Sequence, residues 1–484
     1  MTPSDSSIKL ATPTGRSVAS KRLLPWLVAV AFFMESLDTT ILNTAVPAIS
    51  AALHVGPLSM KAVLASYTLS LAVFIPISGW VADRFGTRRV FATAIGLFTL
   101  GSFLCGISSN IHLLVACRIL QGCGGSMMVP VGRLTLVRTF SKADLLRAMS
   151  FVSIPALVAP MLGPIAGGLI VDYLHWRVIF FLNIPIGLIG LILVYLHLPD
   201  YREETHPLDT VGLILFGSGI ALLSYVLEVF GEHTLSVTEI SGLAVLSLTL
   251  LAGYWLHAKT LAYPLLQLGL FKIRTFRAAV SGSFFTRLGI GGIPFLLPLL
   301  YQVGLGFTPV QSGLLIMPQA IAAMSMKAIM PRLLSAIGYR GVLISNTLVL
   351  GLLLLLFATI GLHTPIWMIV LLAFLYGAFT SLQYTSMNTL VYADTTDQQS
   401  SAASSIASTM QQMSISFGVA TAGLATAFFV PSSGQSGATE MIHGIHKALV
   451  ALGILTIVST IVFRSLKPGD GDTVSHQKVF HPGG

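Results

Sequence analysis

Two carboxylates three residues apart, Glu35 and Asp38, stand inside a long apolar run that begins near Leu23. At helical spacing they share one face, about 5–6 Å from each other. Carboxylates at membrane depth are costly and face a bundle interior or a watery cavity. Burial and mutual repulsion both penalise charging the two together. A pair poised in this way can take a proton from one side of a membrane and release it to the other. A permanently neutral pair, or one locked to a structural arginine, has the same spacing. Arg118 lies in a later apolar run and is followed by Gln121, Gly122, Gly124 and Gly125. An arginine cannot shed its charge, so it needs carboxylates, carbonyls, water or an anionic ligand. It is the electrostatic counterpart expected for the acids, or else a hub that anchors helices. The glycines let another helix or a substrate approach closely.

Other residues suggest gating and binding. The connection at 79–89 carries Gly79, Asp83, Arg84, Gly86 and Arg88. Asp83 can accept from an arginine or from helix N-terminal amides and latch neighbouring helices in one state of a cycle. Pro155, Pro160, Gly163, Pro164, Gly167 and Gly168 predict a kinked helix with a bare face, suited to close packing and hinging. Asn43, Gln121, Arg287, Gln383, Tyr384, Asn388 and Gln411 are polar positions within apolar runs, able to line a cavity or to bond helix to helix. His443 and His446 make a poor metal site, and no Cys-x-x-Cys occurs, so no metal or disulfide framework is expected. No Gly-Lys-Ser/Thr phosphate loop is present either, which argues against ATP coupling.

The elements that must position these residues are set by composition. Of 484 residues, 54% are hydrophobic and 9% charged, against about 25% charged in a soluble domain. Such a chain could not cover a globule with polar groups, and a water-soluble enzyme is excluded. Apolar runs of helical length number fourteen: six between 24 and 197, two between 209 and 258, and six between 275 and 464. They are too uniformly apolar for barrel strands, leaving an all-α polytopic membrane protein. Alternate connections hold twenty Lys and Arg, and the opposite ones only Lys61, Arg177 and Lys447. That asymmetry places both termini in the cytoplasm and accounts for the net charge of +9 without nucleic acid. The expected divisions are a leader (1–22), a six-helix bundle (23–197), two inserted helices with linkers (198–274), a second six-helix bundle (275–465) and a tail (466–484). The leader does not read as a cleaved signal peptide. An internal repeat supports two parallel halves: residues 79–88 align with 331–340, Gly86 with Gly338 and Arg88 with Arg340.

Together these residues resemble the major facilitator superfamily, in particular its fourteen-span drug:proton antiporter branch, and within it enterobacterial multidrug-resistance proteins. Leu37-Asp38-Thr39-Thr40-Ile41-Leu42-Asn43 is similar to that branch's first-helix motif, and residues 79–89 to the superfamily's loop motif. Arg118 to Gly125 resemble the fourth-helix motif, Gly163 to Gly168 the antiporter motif, and Trp176 to Gly187 a stretch typical of the branch. Thr87 and Ala159 depart from the pattern. The resemblance implies a proton-driven exporter, not an enzyme, working by alternating access in the inner membrane as a monomer. Asp38 would be the proton-coupling carboxylate, with Glu35 beside it and Arg118 as partner. Asp83 and Arg84 would gate, and Gly163 and Pro164 would hinge. Its partners would be the bilayer, protons and a small-molecule substrate, with no cofactor. An organic anion or metal chelate is the alternative cargo, and a membrane sensor without transport the competing class.

Overall fold

The computed structural model describes residues 17–229, 235–429 and 438–472. Most of the leader and the end of the tail lie outside these residues. Every regular element among the described residues is helical. The helices are α1 (Ser17–Ala52), α2 (Lys61–Phe74), α3 (Ser78–Phe85), α4 (Thr87–Ile107), α5 (Ile111–Thr139), α6 (Lys142–Tyr173), α7 (Val178–Phe181) and α8 (Asn183–His197). They continue with α9 (Thr210–Val229), α10 (Val237–Thr260), α11 (Arg274–Ile290), α12 (Ile293–Leu299), α13 (Pro309–Phe357), α14 (Ile366–Leu390), α15 (Ser400–Phe429) and α16 (Ala438–Phe463).

Twelve stretches among the described residues are long and apolar enough to cross a membrane. Two of the elements bear on the expected fourteen. The element α13 has 49 residues, which at 1.5 Å per residue is more than twice a hydrocarbon core of about 30 Å. Its chain is broken at Gly338, with φ 75° and ψ 162°, so two helices meet there. The 32-residue α6 carries Pro155, Pro160 and Pro164, and Val158–Tyr173 within it is a run of apolar helix.

The first part of the chain packs α1 against α6 and α8, and α5 against α2 and α4; the later part packs α13 against α14 and α16, and α11 against α15 and α16. The seams between the parts are α2 with α15 and α6 with α13. At the second seam the packing is backbone to backbone. A Cβ on Gly168 would overlap the Pro309 carbonyl, and one on Gly313 the Pro164 carbonyl. The pair α9 and α10 pack on each other, and α9 reaches both α2 and α15. The buried Lys61 Nζ of α2 donates to the Glu228 carbonyl of α9 at 2.7 Å. Just before α9, Asp209 accepts from the Gly212 and Leu265 amides at 2.7 and 3.0 Å, and its carboxylate meets His257 of α10 at 2.8 Å. Burial works to raise the Asp209 carboxyl, but these hydrogen bonds outweigh it and hold the group below the usual carboxylate range. The outer surface is apolar: on α10, Val245, Leu248 and Leu256 are exposed. Side chains of this kind are stable against lipid tails, not water.

Candidate proton-coupling site and cavity

Asp38 and Arg118 meet in the first part of the chain. Each is 1% exposed, and Arg118 Nη1 donates to Asp38 Oδ2 at 2.5 Å. The same Nη1 donates to Gln121 Oε1 at 2.6 Å, and Gln121 Nε2 donates back to Asp38 Oδ1 at 2.9 Å. Asn183 Nδ2 gives Asp38 Oδ1 a second bond at 3.0 Å. Ser102 Oγ accepts from Gln121 at 2.8 Å and from Asn183 at 3.3 Å, closing the ring. The Arg118 guanidinium also lies 4.3 Å from the centre of the Tyr67 ring. Four helices therefore hold one carboxylate: α1, α4, α5 and α8. A buried ion pair is tolerable only when the remaining donors and acceptors are satisfied, and this network does so for both Asp38 oxygens. Gly101 permits it, since a Cβ there would clash with the backbone of Gln121.

Glu35, one turn earlier on α1, has a different setting. It lines a cavity of about 1270 Å³, and its Oε2 has no hydrogen-bond partner. Arg133 lines the same cavity, its guanidinium 5.6 Å from the centre of the Phe32 ring. The opposite wall belongs to α14 and α15, with Asn388, Ser404, Ser408, Gln411 and Gln412. Of the seven positions proposed from sequence for a cavity, Asn388 and Gln411 are on its wall. Gln121 instead belongs to the Asp38 network, and Asn43 donates within its own helix to the Thr39 carbonyl at 3.3 Å. Gln383 is buried, accepting from Asn346 at 2.7 Å and donating to Thr347 at 2.8 Å. Arg287 is 2% exposed, lies 3.5 Å from the centre of the Tyr384 ring and donates to Ser283 at 3.0 Å. It sits in the last turn of α11, where a helix C-terminus favours a cation.

The 79–89 segment expected as a loop is helical except at Gly86, where α3 ends and α4 begins, and its residues form a second cluster. Asp83 accepts from Arg138 Nη2 at 2.8 Å, and the same nitrogen reaches Glu203 at 2.7 Å. Arg84 is exposed; Arg138, at the end of α5, is the arginine that pairs. Arg88 Nε donates to the Leu198 carbonyl at 2.5 Å and its amide to Asp200 at 3.2 Å. Gly86 has φ 96°, and a Cβ there would overlap the Asp200 carboxylate. Gly79 has open space around it. In α6, a Cβ on Gly163 would overlap Thr40 of α1 and one on Gly167 the Ile41 carbonyl, so the bare face is filled by the helix that carries Asp38.

Sequence reasoning missed Asn183, Ser102 and Tyr67. Asn183 lies inside the Trp176–Gly187 motif, which was the one available signal. Ser102 and Tyr67 carry none, because serines and tyrosines are common in helices of this kind.

A helical membrane protein with a buried acid–base pair beside a large cavity of mixed polar and apolar lining has the architecture of a solute carrier. Comparison with known proteins makes the class specific. The family model described as Major Facilitator Superfamily matches residues 28–419 and 279–480. The MdtD protein of Serratia proteamaculans, named for multidrug resistance, is 43% identical over 409 residues, covering 84% of this chain and 86% of its own. MdtD of Shigella sonnei is 42% identical over 425 residues, covering 87% and 90%. Among solved structures, a POT family transporter in complex with 5-aminolevulinic acid superposes with TM-score 0.66 at 15% identity, covering 91% of this chain and 95% of that one. The human organic anion transporter MFSD10 gives TM-score 0.58 at 13% identity, covering 92% and 99%. These last two show the fold alone. The chain belongs to the major facilitator superfamily, a family of multi-pass membrane transporters rather than enzymes.

Proposed function

We propose that the protein is a proton-coupled exporter of small molecules that works by alternating access in the inner membrane, with multidrug efflux as the reading its relatives' names favour. Fourteen spans follow if α6 crosses and α13 crosses twice, turning at Gly338. With both termini cytoplasmic, the cavity bounded by residues 79–83 opens inward, and the seam of α6 with α13 lies outward. The observation that carries the proposal is the pairing, one helical turn apart, of a sealed carboxylate with a half-buried one that lines the cavity. Glu35 meets the cavity with one oxygen unpartnered, and Asp38 is enclosed behind it with Arg118. A proton taken up from the outer side neutralises Asp38 and loosens its hold on Arg118 and on α5, and in this inward-facing form it leaves Asp38 by way of Glu35 to the cavity. Gly163 and Gly167 let α6 follow α1, so the change at Asp38 reaches the seam with α13. Asp83, Arg138 and Glu203 latch the loop in the inward-facing form. The monomer, with no cofactor, is the complete transporting unit in this reading.

An anionic or chelated cargo would gain support from an unpaired cation on the cavity wall. Arg133 is on that wall, whereas Arg287 is covered by Tyr384 and compensated by its helix end, so of these two arginines only Arg133 could meet an anionic cargo. The deciding experiment is a drug and metabolite efflux screen of proteoliposomes under an imposed proton gradient, wild type against Asp38→Asn. Saturable, gradient-driven export lost in Asp38→Asn supports the reading. Export that persists without a gradient, or survives in Asp38→Asn, rejects it.

A further inference from the structure

The two connections that carry the inserted pair α9 and α10 meet at the loop end of the cavity. His206, on the way into α9, stacks on Tyr263, on the way out of α10, with ring centroids 3.8 Å apart and planes 11° from parallel. The Trp80 indole N–H donates to the His206 carbonyl at 2.7 Å, hooking the stack to the 79–89 loop of the first half. Asp209 fastens the two connections to each other through Leu265 and His257. Trp80, His206 and Tyr263 all line the cavity, and Tyr263 is 56% exposed. An exposed pair of stacked rings on polar connections fills no core, and the Asp38 network does not involve it. Rings with two side-chain torsions make a stiff rim at low entropic cost.

We propose that Trp80, His206 and Tyr263 form a size filter at the cavity mouth, supplied by the inserted helix pair, which admits small solutes and holds back bulky ones. The inserted pair thereby acquires a role in specificity. The filter rests on the cavity being the cargo path, but its test needs neither cargo nor a proton gradient.

Full-length protein carrying Ser408→Cys, a cavity-lining position on α15, is placed in lipid nanodiscs. It is labelled with a small methanethiosulfonate and with a maleimide carried on a polyethylene glycol chain. The parent protein, in which Cys105 and Cys117 are buried and the half-buried Cys123 is replaced by serine, gives the baseline. With Tyr263→Ala the bulky reagent should react about tenfold faster, the scale of losing one aromatic stack, while the small reagent keeps its rate. Trp80→Phe keeps a ring but removes the hook, and should give a smaller rise of the same kind; it carries the test if Tyr263→Ala fails to fold. No change with the bulky reagent, or an equal change with both, overturns the filter. A failure of proton-driven export leaves this labelling result standing, so the two readings fall separately.

Discussion

The two halves of the molecule bury different kinds of polar network. The first half holds Asp38 and Arg118 in a ring completed by Gln121, Asn183 and Ser102. The second holds Asn346, Gln383 and Thr347, all uncharged, with Asn346 also donating to the Phe379 carbonyl at 2.9 Å. Its one buried arginine, Arg287, has no carboxylate within ion-pair distance among the described residues and is stabilised by a ring, a hydroxyl and a helix end. A charged ring changes its bonding when a proton arrives, because a carboxyl and a carboxylate want different partners. The amide network has no such response near neutral pH. In the proposed mechanism the first half therefore carries the proton-responsive network, and the second is the surface against which it rocks.

The largest effect expected is therefore at Asp38. Asp38→Asn mimics the protonated carboxyl and cannot cycle, so uphill transport falls to background while the folded protein is retained. Gln383→Leu, its counterpart test in the second half, strands buried hydrogen-bonding groups at about 1–3 kcal/mol yet leaves the proton dependence of transport unchanged. Stability scans and gradient-driven flux, measured on both variants, check the contrast. If Gln383→Leu abolished coupling at normal expression, the division between the halves would fail.

Glu35→Gln should come next. Asp38 remains, so the rate should fall by less than the about 10²-fold typical of losing a general acid–base group. Flux measured across a pH series decides it, and a loss as complete as that of Asp38→Asn would make Glu35 the principal carrier. Asp83→Asn should be milder again. Arg138 keeps Glu203, so turnover slows a few-fold while substrate affinity holds. A large affinity loss at unchanged maximal rate would contradict a latch.

The sequence made the Asp38–Arg118 pair legible because charges are rare inside apolar runs and each must find a partner. It did not identify Asn183 and Ser102, whose residue types fit many helix contacts, and it could not tell a cavity wall from a helix seam. Gln383 and Asn388 are five residues apart on α14, yet one is sealed between helices and the other is exposed to the cavity. Which of them faces the cavity depends on how α14 is rotated against its neighbours, and the residue pattern of an almost uniformly apolar helix does not encode that rotation. The same ambiguity made Arg287 a cavity candidate. Similarly, Asp83 was recognisable as an acceptor, but its donor, Arg138, arrives from the far end of another helix. The repeat, by contrast, was readable from glycine positions, because a left-handed turn can be built by few other residues.

The smallest predicted effect tests that repeat directly. Gly86 and Gly338 occupy aligned positions, and both adopt positive φ, 96° and 75°. Any side chain at either site meets backbone strain of about 1–3 kcal/mol. Their surroundings differ. A Cβ on Gly86 would also displace Asp200, breaking its bond to the Arg88 amide and loosening the connection that leads to α9. A Cβ on Gly338 meets nothing within 4 Å. Gly338→Ala should thus cost only the backbone strain and leave transport close to normal, whereas Gly86→Ala should cost more stability and slow turnover as well. Thermal unfolding of the two purified variants gives the ordering. Equal destabilisation would mean that the Asp200 contact contributes nothing, and a larger loss at Gly338 would show that the second turn, not the first, is the one held under constraint.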